Sequence, residues 1–374
     1  MRTQFGRVGA ARACATVIAL ALPAMGANII DIGTLAGGNS SAATAINASG
    51  QVAGYATTAS GDTRPVRYSG GTLTDLGTLG GTFSYGYGIN ASGTVVGNSY
   101  TGTVYRAFSA PVGGSITSLG SVGTAGSYAS AINDSGVAVG RSWNVTNTGI
   151  DPASYSGGSV TSLSTGGGFS GGAGGINANG DIVGGIESAG TNITDLFLYH
   201  NGVLSDLGNM GGGGTFSEAF GTAINNSGLI VGSGNLSEQG PDHAFYYSGG
   251  AFHDMGTLNG GYQSGASGVN SSGEIVGYSW LGNNGNNTAA FLYANGSMID
   301  LNTLLPNNSG WQLATANGIN DSGLIVGTGT INGQTHGYIL DRGQASATPE
   351  PGSFALLGAG GLMAGYLRSR RRKV

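Results

Sequence analysis

The chain alternates short apolar runs rich in β-branched residues with polar turns that contain glycine, and this pattern recurs over most of its length. Its clearest unit is residues 89–97, INASGTVVG. An Asn with a Gly three positions later suits a type I turn, because the Asn side chain bonds the backbone two residues on and Gly accepts positive φ. Apolar residues on both sides predict a hairpin with a glycine bulge. The turn occurs seven times, with its Asn at Asn47, Asn90, Asn133, Asn177, Asn225, Asn270 and Asn320.

Two further elements recur in step with these turns, whose Asn residues lie 43 to 50 positions apart. One is an Asp-Leu-Gly run, as at 75–77, and the other is an aromatic strand closed by glycines, as at 243–250. A four-stranded antiparallel unit of about 40–50 residues is the size of a propeller blade. With the second turn as reference, the pattern predicts four strands, at 84–90, 94–98, 106–110 and 115–120.

We therefore predict an all-β fold over residues 28–342, a seven-bladed β-propeller of four-stranded antiparallel blades. The chain begins with an outermost-type strand, 28–35, and ends with a third-type strand, 336–341. We expect these two to pair, so that the N-terminal strand closes the ring and removes exposed sheet edges. The alternative is a β-solenoid, which three turn signals in each repeat disfavour.

The two ends of the chain carry targeting signals. Residues 1–27 predict a secretory signal peptide, because a basic start leads into an uncharged apolar run and a small-residue cleavage site. At the other end, residues 343–351 form a linker and 352–367 predict a transmembrane helix. Sixteen helical residues span about 24 Å, which is shorter than a bilayer hydrocarbon core of about 30 Å. Local thinning of the bilayer, or basic side chains that extend to the membrane surface, would make up the difference. The basic tail 368–374 should stay cytoplasmic.

This C-terminal end resembles a PEP-CTERM sorting signal, which combines a Pro-Glu-Pro triplet, a short apolar helix and a terminal basic cluster. The resemblance implies that the protein is exported and that a membrane enzyme, exosortase, is its partner and cleaves near the triplet. The body of the protein would then lie at the cell surface or outside the cell. The triplet is Pro349, Glu350 and Pro351, and the basic membrane stop is Arg368, Arg370, Arg371, Arg372 and Lys373.

The repeats at about 28–342 resemble the extracellular HAF family, named for a His-Ala-Phe triplet that stands here at 243–245. Only this copy keeps the literal triplet, so its His is not a functional residue shared by the repeats. The resemblance implies an extracellular repeat protein and brings no defined activity.

Composition and charge narrow the function. Gly makes up 76 of 374 residues, which disfavours helices and fits turns and bulges at regular positions. Residues 28–348 contain five Arg, no Lys and 17 acidic residues, a net charge of −12. Such a body is a poor match for nucleic acid. The single Cys14 lies in the leader, so the exported body has no thiol for disulfides, metal binding or catalysis.

Few residues in the sequence suggest reactive chemistry. The four His residues show no zinc-binding spacing, and residues 177–181 and 270–274 lack the alternating carboxylates of a calcium loop. No nucleophile elbow precedes a helix. We therefore expect no metal, no cofactor and no catalytic residue. The His residues are His200, His243, His253 and His336.

Two functions remain open at this point. The first is a non-enzymatic surface or matrix scaffold that contacts exopolysaccharide or surface proteins, with sugar rings stacking on aromatic residues such as Trp143, Tyr278 and Trp280. The alternative is a propeller glycan lyase or hydrolase with carboxylates at one end of the channel. Acidic residues fall mostly on predicted outer strands, as at Asp75, and this placement favours the first.

Overall fold

A computed structural model of the protein describes residues 27–163, 170–187, 191, 193–211, 217–237, 240–282 and 287–343. The strands form seven antiparallel four-stranded sheets. Two 3₁₀ turns, Leu258–Gly260 and Leu301–Leu304, are the helical elements in this part of the chain. The predicted all-β propeller of seven four-stranded blades is confirmed, and the antiparallel pairing leaves no place for a solenoid.

Each blade starts at the strand nearest the channel and runs outward, except that the outermost strand of the seventh is β1. The strands are β1 Asn28–Asp31; in blade 1, β2 Ser41–Ile46, β3 Val52–Thr57, β4 Thr63–Ser69, β5 Thr72–Asp75; in blade 2, β6 Ser84–Ile89, β7 Val95–Tyr100, β8 Tyr105–Ala110, β9 Thr117–Gly120; in blade 3, β10 Ser127–Ile132, β11 Ala138–Trp143, β12 Ile150–Ser156, β13 Ser159–Ser162; in blade 4, β14 Ser170–Ile176, β15 Ile182–Glu187, β16 Thr194–His200, β17 Val203–Gly208; in blade 5, β18 Ala219–Ile224, β19 Ile230–Asn235, β20 Asp242–Ser248, β21 Ala251–Asp254; in blade 6, β22 Ser264–Val269, β23 Ile275–Trp280, β24 Thr288–Ala294, β25 Ser297–Asp300; in blade 7, β26 Trp311–Ile319, β27 Ile325–Ile331, β28 Gln334–Asp341.

The N-terminal strand closes the ring as predicted. β1 pairs antiparallel with β28, and the register sets Asn28 opposite Asp341 and Ile30 opposite Ile339. The strand is shorter than the predicted 28–35, because the Asp31 carboxylate accepts a 2.8 Å hydrogen bond from the N–H of Gly33, which has a φ of +77°. This turn bends the chain away from the sheet.

The third strand of each blade places its central residue between neighbouring blades. Phe108, Phe197, Phe245 and Phe291 are each fully buried, and Phe245 is the Phe of the His-Ala-Phe triplet. Burying one such ring removes about 150–250 Å² from water. The aromatic strand read from the sequence is therefore a core element that holds adjacent blades together.

The first strand of every blade carries a β-bulge at the same place. The register shifts between Ala43 and Ala45 in β2, and the equivalent step occurs in all seven blades. In three blades the extra residue donates a hydrogen bond to a carbonyl of the next blade, with distances of 3.0 Å for Thr44, 2.7 Å for Thr222 and 2.8 Å for Asn317. In these three blades the bulge residue therefore links the innermost strands of adjacent blades.

The predicted targeting segments fall outside the described part of the chain, apart from a few residues at their inner edges. This applies to the signal peptide (1–27), the linker with its Pro-Glu-Pro triplet (343–351), the helix at 352–367 and the basic tail at 368–374. Among the residues that are described, no helix has the length and apolar character needed to cross a bilayer.

Candidate functional site

The seven turn Asn residues form a closed ring of hydrogen bonds around one end of the channel. Each side-chain amide donates to the backbone carbonyl of the turn Asn in the next blade, from Asn47 onward at 2.9, 3.3, 3.2, 3.1, 3.0 and 3.5 Å. The last blade completes the circle, because Asn320 donates to Asn47 at 3.0 Å. All seven side chains are buried.

The other end of the same amide builds the turn. In every blade the Oδ1 atom accepts from the N–H four residues later, as from Gln51 to Asn47 at 2.9 Å. The backbone pairs Asn47 N–H with the Gln51 carbonyl, and Gly50 has a φ of +77°. The predicted turn with its glycine bulge is therefore confirmed. The hydrogen bond predicted from the sequence, from the N–H two residues later to the Asn oxygen, is present at Ser49 beside the bond from Gln51. The ring of hydrogen bonds between blades was not predicted from the sequence.

The opposite end of the channel opens into a cavity of about 680 Å³. Its volume lies within the range of about 300–1,000 Å³ typical of ligand sites. The walls combine aromatic rings and hydroxyls with one guanidinium and one carboxylate. The lining residues include Tyr55, Tyr87, Tyr128, Arg141, Glu187 and Phe220.

Tyrosines from three blades make one wall of this cavity. Tyr55 meets Tyr85 edge-on at a centroid distance of 5.1 Å, and Tyr85 stacks on Tyr87 at 6.3 Å. Tyr105 stacks on Tyr128 at 5.7 Å. Burial, together with the neighbouring tyrosines, raises the pKa of Tyr87 to about 12. Its phenol therefore stays neutral and can both donate and accept a hydrogen bond.

Blade 4 leaves the gap that the cavity occupies. At one level of the channel each blade contributes a pair of opposed residues from its first and second strands, such as Tyr128 with Arg141 in blade 3. In blade 4 both members are glycine, Gly172 and Gly185. Blade 6 also has a glycine at the first position, but the Tyr278 ring fills that space, with its atoms at 2.8–2.9 Å from a Cβ built there.

The two glycines of blade 4 do different things. A Cβ at Gly185 would lie 2.6 Å from Cδ2 of Phe220, so the ring of blade 5 already lies against this backbone. Of the residues that the structure describes, a Cβ at Gly172 would meet within 4 Å only the stem of Arg141, at 3.6 and 3.7 Å. Open space therefore remains above Gly172, between the side chains of blades 3 and 5.

Two charged groups, Arg141 and Glu187, line the cavity. The Arg141 guanidinium lies 4.7 Å from the centroid of the Tyr128 ring, a cation–π contact that orients it. The side chain is exposed, and in the described part of the protein it takes part in no ion pair. A donor and an acceptor of this kind in one aromatic cavity suit a ligand rich in hydroxyl groups.

The aromatic residues suggested from the sequence lie elsewhere. Trp143, Tyr278 and Trp280 are half-buried and are not among the residues that line this cavity. The Trp280 ring stacks on Tyr262 at 6.3 Å. The tyrosine and glycine positions were missed from sequence, although two double glycines in one blade, at 171–172 and 184–185, mark the gap.

The His residues have structural partners. His243 and His336 occupy equivalent positions in blades 5 and 7, as expected, and each contacts the Asp of its outermost strand. The distances from Nδ1 are 3.0 Å to Asp254 and 2.7 Å to Asp31. Over the ranges that the structure describes, no three His, Cys, Asp or Glu side chains are grouped as a metal site would need.

Most carboxylates on the outer strands cap turns. In four strands a carboxylate accepts from the N–H of a Gly two residues later at 2.8 Å, namely Asp31, Asp75, Asp206 and Asp254. These groups sit at the rim, away from the channel. Of the 16 acidic residues that the structure describes, five lie on outermost strands, so the expectation that most of them do is wrong.

Two family models match parts of the sequence. One, described as a protein of unknown function (DUF3466), covers residues 199–348. The other, the PEP-CTERM protein-sorting motif, covers residues 347–372. Neither match addresses the HAF resemblance, which remains a prediction. No curated protein is similar enough to the chain to match it.

Several solved structures are similar to parts of the chain at low sequence identity. TolB from Acinetobacter baumannii is 9% identical over 78% of this chain and 63% of its own, with a TM-score of 0.37. An acylaminoacyl peptidase from Pyrococcus horikoshii is 10% identical over 77% and 49%, with a TM-score of 0.43. A gluconolactonase from Xanthomonas campestris is 10% identical over 84% and 89%, with a TM-score of 0.39.

The chain spans less than two-thirds of the first two of these proteins, and the three similarities support no inference about activity. The sorting motif is more informative, because such signals mark exported proteins and are processed by exosortase, a membrane enzyme. The chain is thus a seven-bladed propeller with a DUF3466 match over its later blades and a PEP-CTERM sorting motif at its C-terminal end.

Proposed function

We propose that this protein is an exported scaffold of the cell surface or extracellular matrix, sorted through its PEP-CTERM tail, that contacts exopolysaccharide without acting as an enzyme. The observation that carries the proposal is the cavity at the channel mouth, where Tyr87, Tyr128 and Phe220 surround one guanidinium and one carboxylate. Aromatic rings present flat apolar faces with a polar tip, a surface suited to sugar rings. The HAF resemblance fits the same extracellular setting.

The non-enzymatic role is supported by the carboxylates. Glycoside hydrolysis normally needs two, about 5–9.5 Å apart, one acting as an acid and the other as a base or nucleophile. Among the described residues that line the cavity, Glu187 is the one that carries a carboxylate. Glu187 and Arg141 together can bind the hydroxyl groups of a ligand by hydrogen bonds, but they do not supply the acid and the base of a hydrolase. The glycan lyase or hydrolase stays an alternative that experiment decides.

Binding tests the proposal directly. The full chain, purified in detergent from a host that lacks the exosortase gene, should sediment with the host's exopolysaccharide. Tyr87→Ala should weaken this binding, because Tyr87 is 37% exposed and faces the cavity. The matched control is Tyr262→Ala, since Tyr262 is 42% exposed and lies outside the cavity. Absence of binding to every extracellular polysaccharide of the host would contradict the scaffold, and release of new reducing or unsaturated ends would favour the enzyme.

The sorting step has its own test. Mass spectrometry of the protein from its host should show a C-terminus near Pro349-Glu350-Pro351. Deleting the exosortase gene should leave residues up to Val374 in place. An intact tail in the wild-type host would contradict processing at the triplet.

A further inference from the structure

We infer that the gap above Gly172 in blade 4 is a subsite for a neutral, hydroxyl-rich sugar unit of a polysaccharide chain. The inference rests on the proposed function and narrows it to one place and one class of glycan. Its basis is the juxtaposition of an open glycine position, two aromatic walls and a guanidinium with no carboxylate partner among the described residues.

The space is specific to this blade. Of the seven pairs at this level, only Gly172 and Gly185 lack side chains at both positions. Tyr128 and Phe220 occupy the first position in the two neighbouring blades. A sugar ring above Gly172 would therefore lie between two aromatic side chains and close to the backbone.

The polar groups match hydroxyls. Arg141 has five N–H donors in a fixed fork, and a carboxylate such as Glu187 accepts from several directions. Thr44 and Ser130 also line the cavity. The Thr44 hydroxyl already donates to the Gly86 carbonyl and can accept from a sugar, whereas a serine hydroxyl can donate and accept. This set satisfies a ligand whose groups are both donors and acceptors, as sugar hydroxyls are.

Charge excludes the acidic class of polysaccharide. Among the described residues, the blade ends on this side of the ring carry three guanidiniums, from Arg64, Arg106 and Arg141, against 11 carboxylates. The carboxylates belong to Asp31, Asp62, Asp75, Asp151, Glu187, Asp195, Asp206, Glu218, Asp242, Asp254 and Asp300. Like charges suppress wrong partners and slow their approach. A uronate polymer should meet repulsion here, whereas a neutral glycan should not.

The test uses the full chain in detergent and immobilised oligosaccharides of two kinds. The neutral probes are glucan, mannan and galactan oligomers, and the acidic probes are galacturonate and alginate oligomers. We expect binding to a neutral probe that changes by less than about twofold between low and physiological salt, because no phosphate or carboxylate is neutralised. Acidic probes should bind more weakly, and more weakly still at low salt.

Two variants locate the subsite. Gly172→Tyr, which places in blade 4 the residue of blades 2 and 3, should fill the gap and lower affinity at least about tenfold. Ala48→Phe adds a similar ring at an exposed position on the opposite side of the channel and should bind like the wild type. Arg141→Gln, at an exposed side chain, should lower affinity by about tenfold without altering the melting temperature.

The outcomes separate the two proposals. Binding of a neutral glycan that Gly172→Tyr and Arg141→Gln leave unchanged would overturn the subsite and leave the scaffold standing. Tighter binding of uronate oligomers would overturn the choice of a neutral glycan. Failure of the wild type to bind any probe or the host polysaccharide would overturn both.

Discussion

At the scale of single residues, the turn Asn does two jobs that no other side chain combines. Its oxygen caps the turn of its own blade, while its amide donates to the next blade. Asp or Ser could replace the first role but not the second. The sequence hints at this, because Asn is constant in the seven repeats while the next residue is Ala, Asp, Asn or Ser. The bond itself was not predictable, since it depends on how blades stack.

Asn133→Asp tests the ring. The carboxylate keeps the cap on Val137 but loses the donor and faces the Asn177 carbonyl, which lies 3.2 Å from the amide nitrogen. We expect a loss of about 1–3 kcal/mol in unfolding free energy, measured by urea denaturation. The control is Asn144→Asp, because Asn144 caps its loop in the same way through Thr148. Equal losses for both variants would contradict a special role of the ring.

A second residue-scale prediction concerns acid stability. Arg342 donates to both oxygens of Glu274 at 2.9 Å and links the end of β28 to blade 6. These hydrogen bonds lower the pKa of Glu274 below its ordinary value of 4.5. The stabilisation is therefore complete above about pH 4.5 and is lost as pH falls through the lower, folded-state pKa.

The unfolding free energy of Glu274→Gln should accordingly fall less steeply than that of the wild type as the pH is lowered. Stability is measured by urea titration at neutral pH and at several points below pH 4.5. Glu218→Gln is the control, since Glu218 is exposed and takes part in no ion pair in the described ranges. Parallel pH profiles for wild type and Glu274→Gln would contradict the role of this pair.

At the scale of elements, the short strand β1 carries the closure of the ring. Ile32 donates its N–H to the Gly337 carbonyl at 3.1 Å. In an antiparallel pair every second residue of a strand points its N–H at the partner strand. The N–H of Ile30, two residues before Ile32, therefore also points at β28. Its side chain is 39% exposed, so the backbone of this residue matters more than its packing.

Ile30→Pro should therefore open the seventh blade, because Pro has no N–H to donate. We expect a clear fall in melting temperature and faster proteolysis near β28, whereas Ile30→Ala should stay close to the wild type. Melting is followed by circular dichroism and cleavage by mass spectrometry. A proline variant as stable as the alanine variant would show that β1 contributes little.

At the scale of the whole molecule, the number of blades and the closing strand followed from the period of the turns and from the strand types at the two ends. The cavity did not follow. Its shape depends on which side chain fills each position across two strands and three blades, as with Tyr278 over Gly265 or Phe220 over Gly185. Local patterns do not encode such pairings between blades. Trp143, Tyr278 and Trp280, which the sequence suggested for stacking on sugar rings, are not among the lining residues of this cavity, and that suggestion stays a prediction.

The entry and exit of the chain lie together on one side of the ring. Asn28 is opposite Asp341, and Leu340 is opposite Ile325, next to the turn of Asn320. Both ends therefore leave at the blade ends that hold the Asn ring, and the sorting motif begins at residue 347. In a membrane-held copy we expect a probe at Ala48→Cys to be quenched more by headgroup nitroxides than one at Thr103→Cys. Equal quenching would contradict this.

Such a tether gives all membrane-held copies the same orientation relative to the bilayer. Every copy held by its tail would turn the Asn ring toward the lipid and the opening proposed to bind sugar toward the surroundings. A single cut beside the last strand would then free the disc with that opening unaltered, so the same recognition would operate on the cell and in the material shed from it.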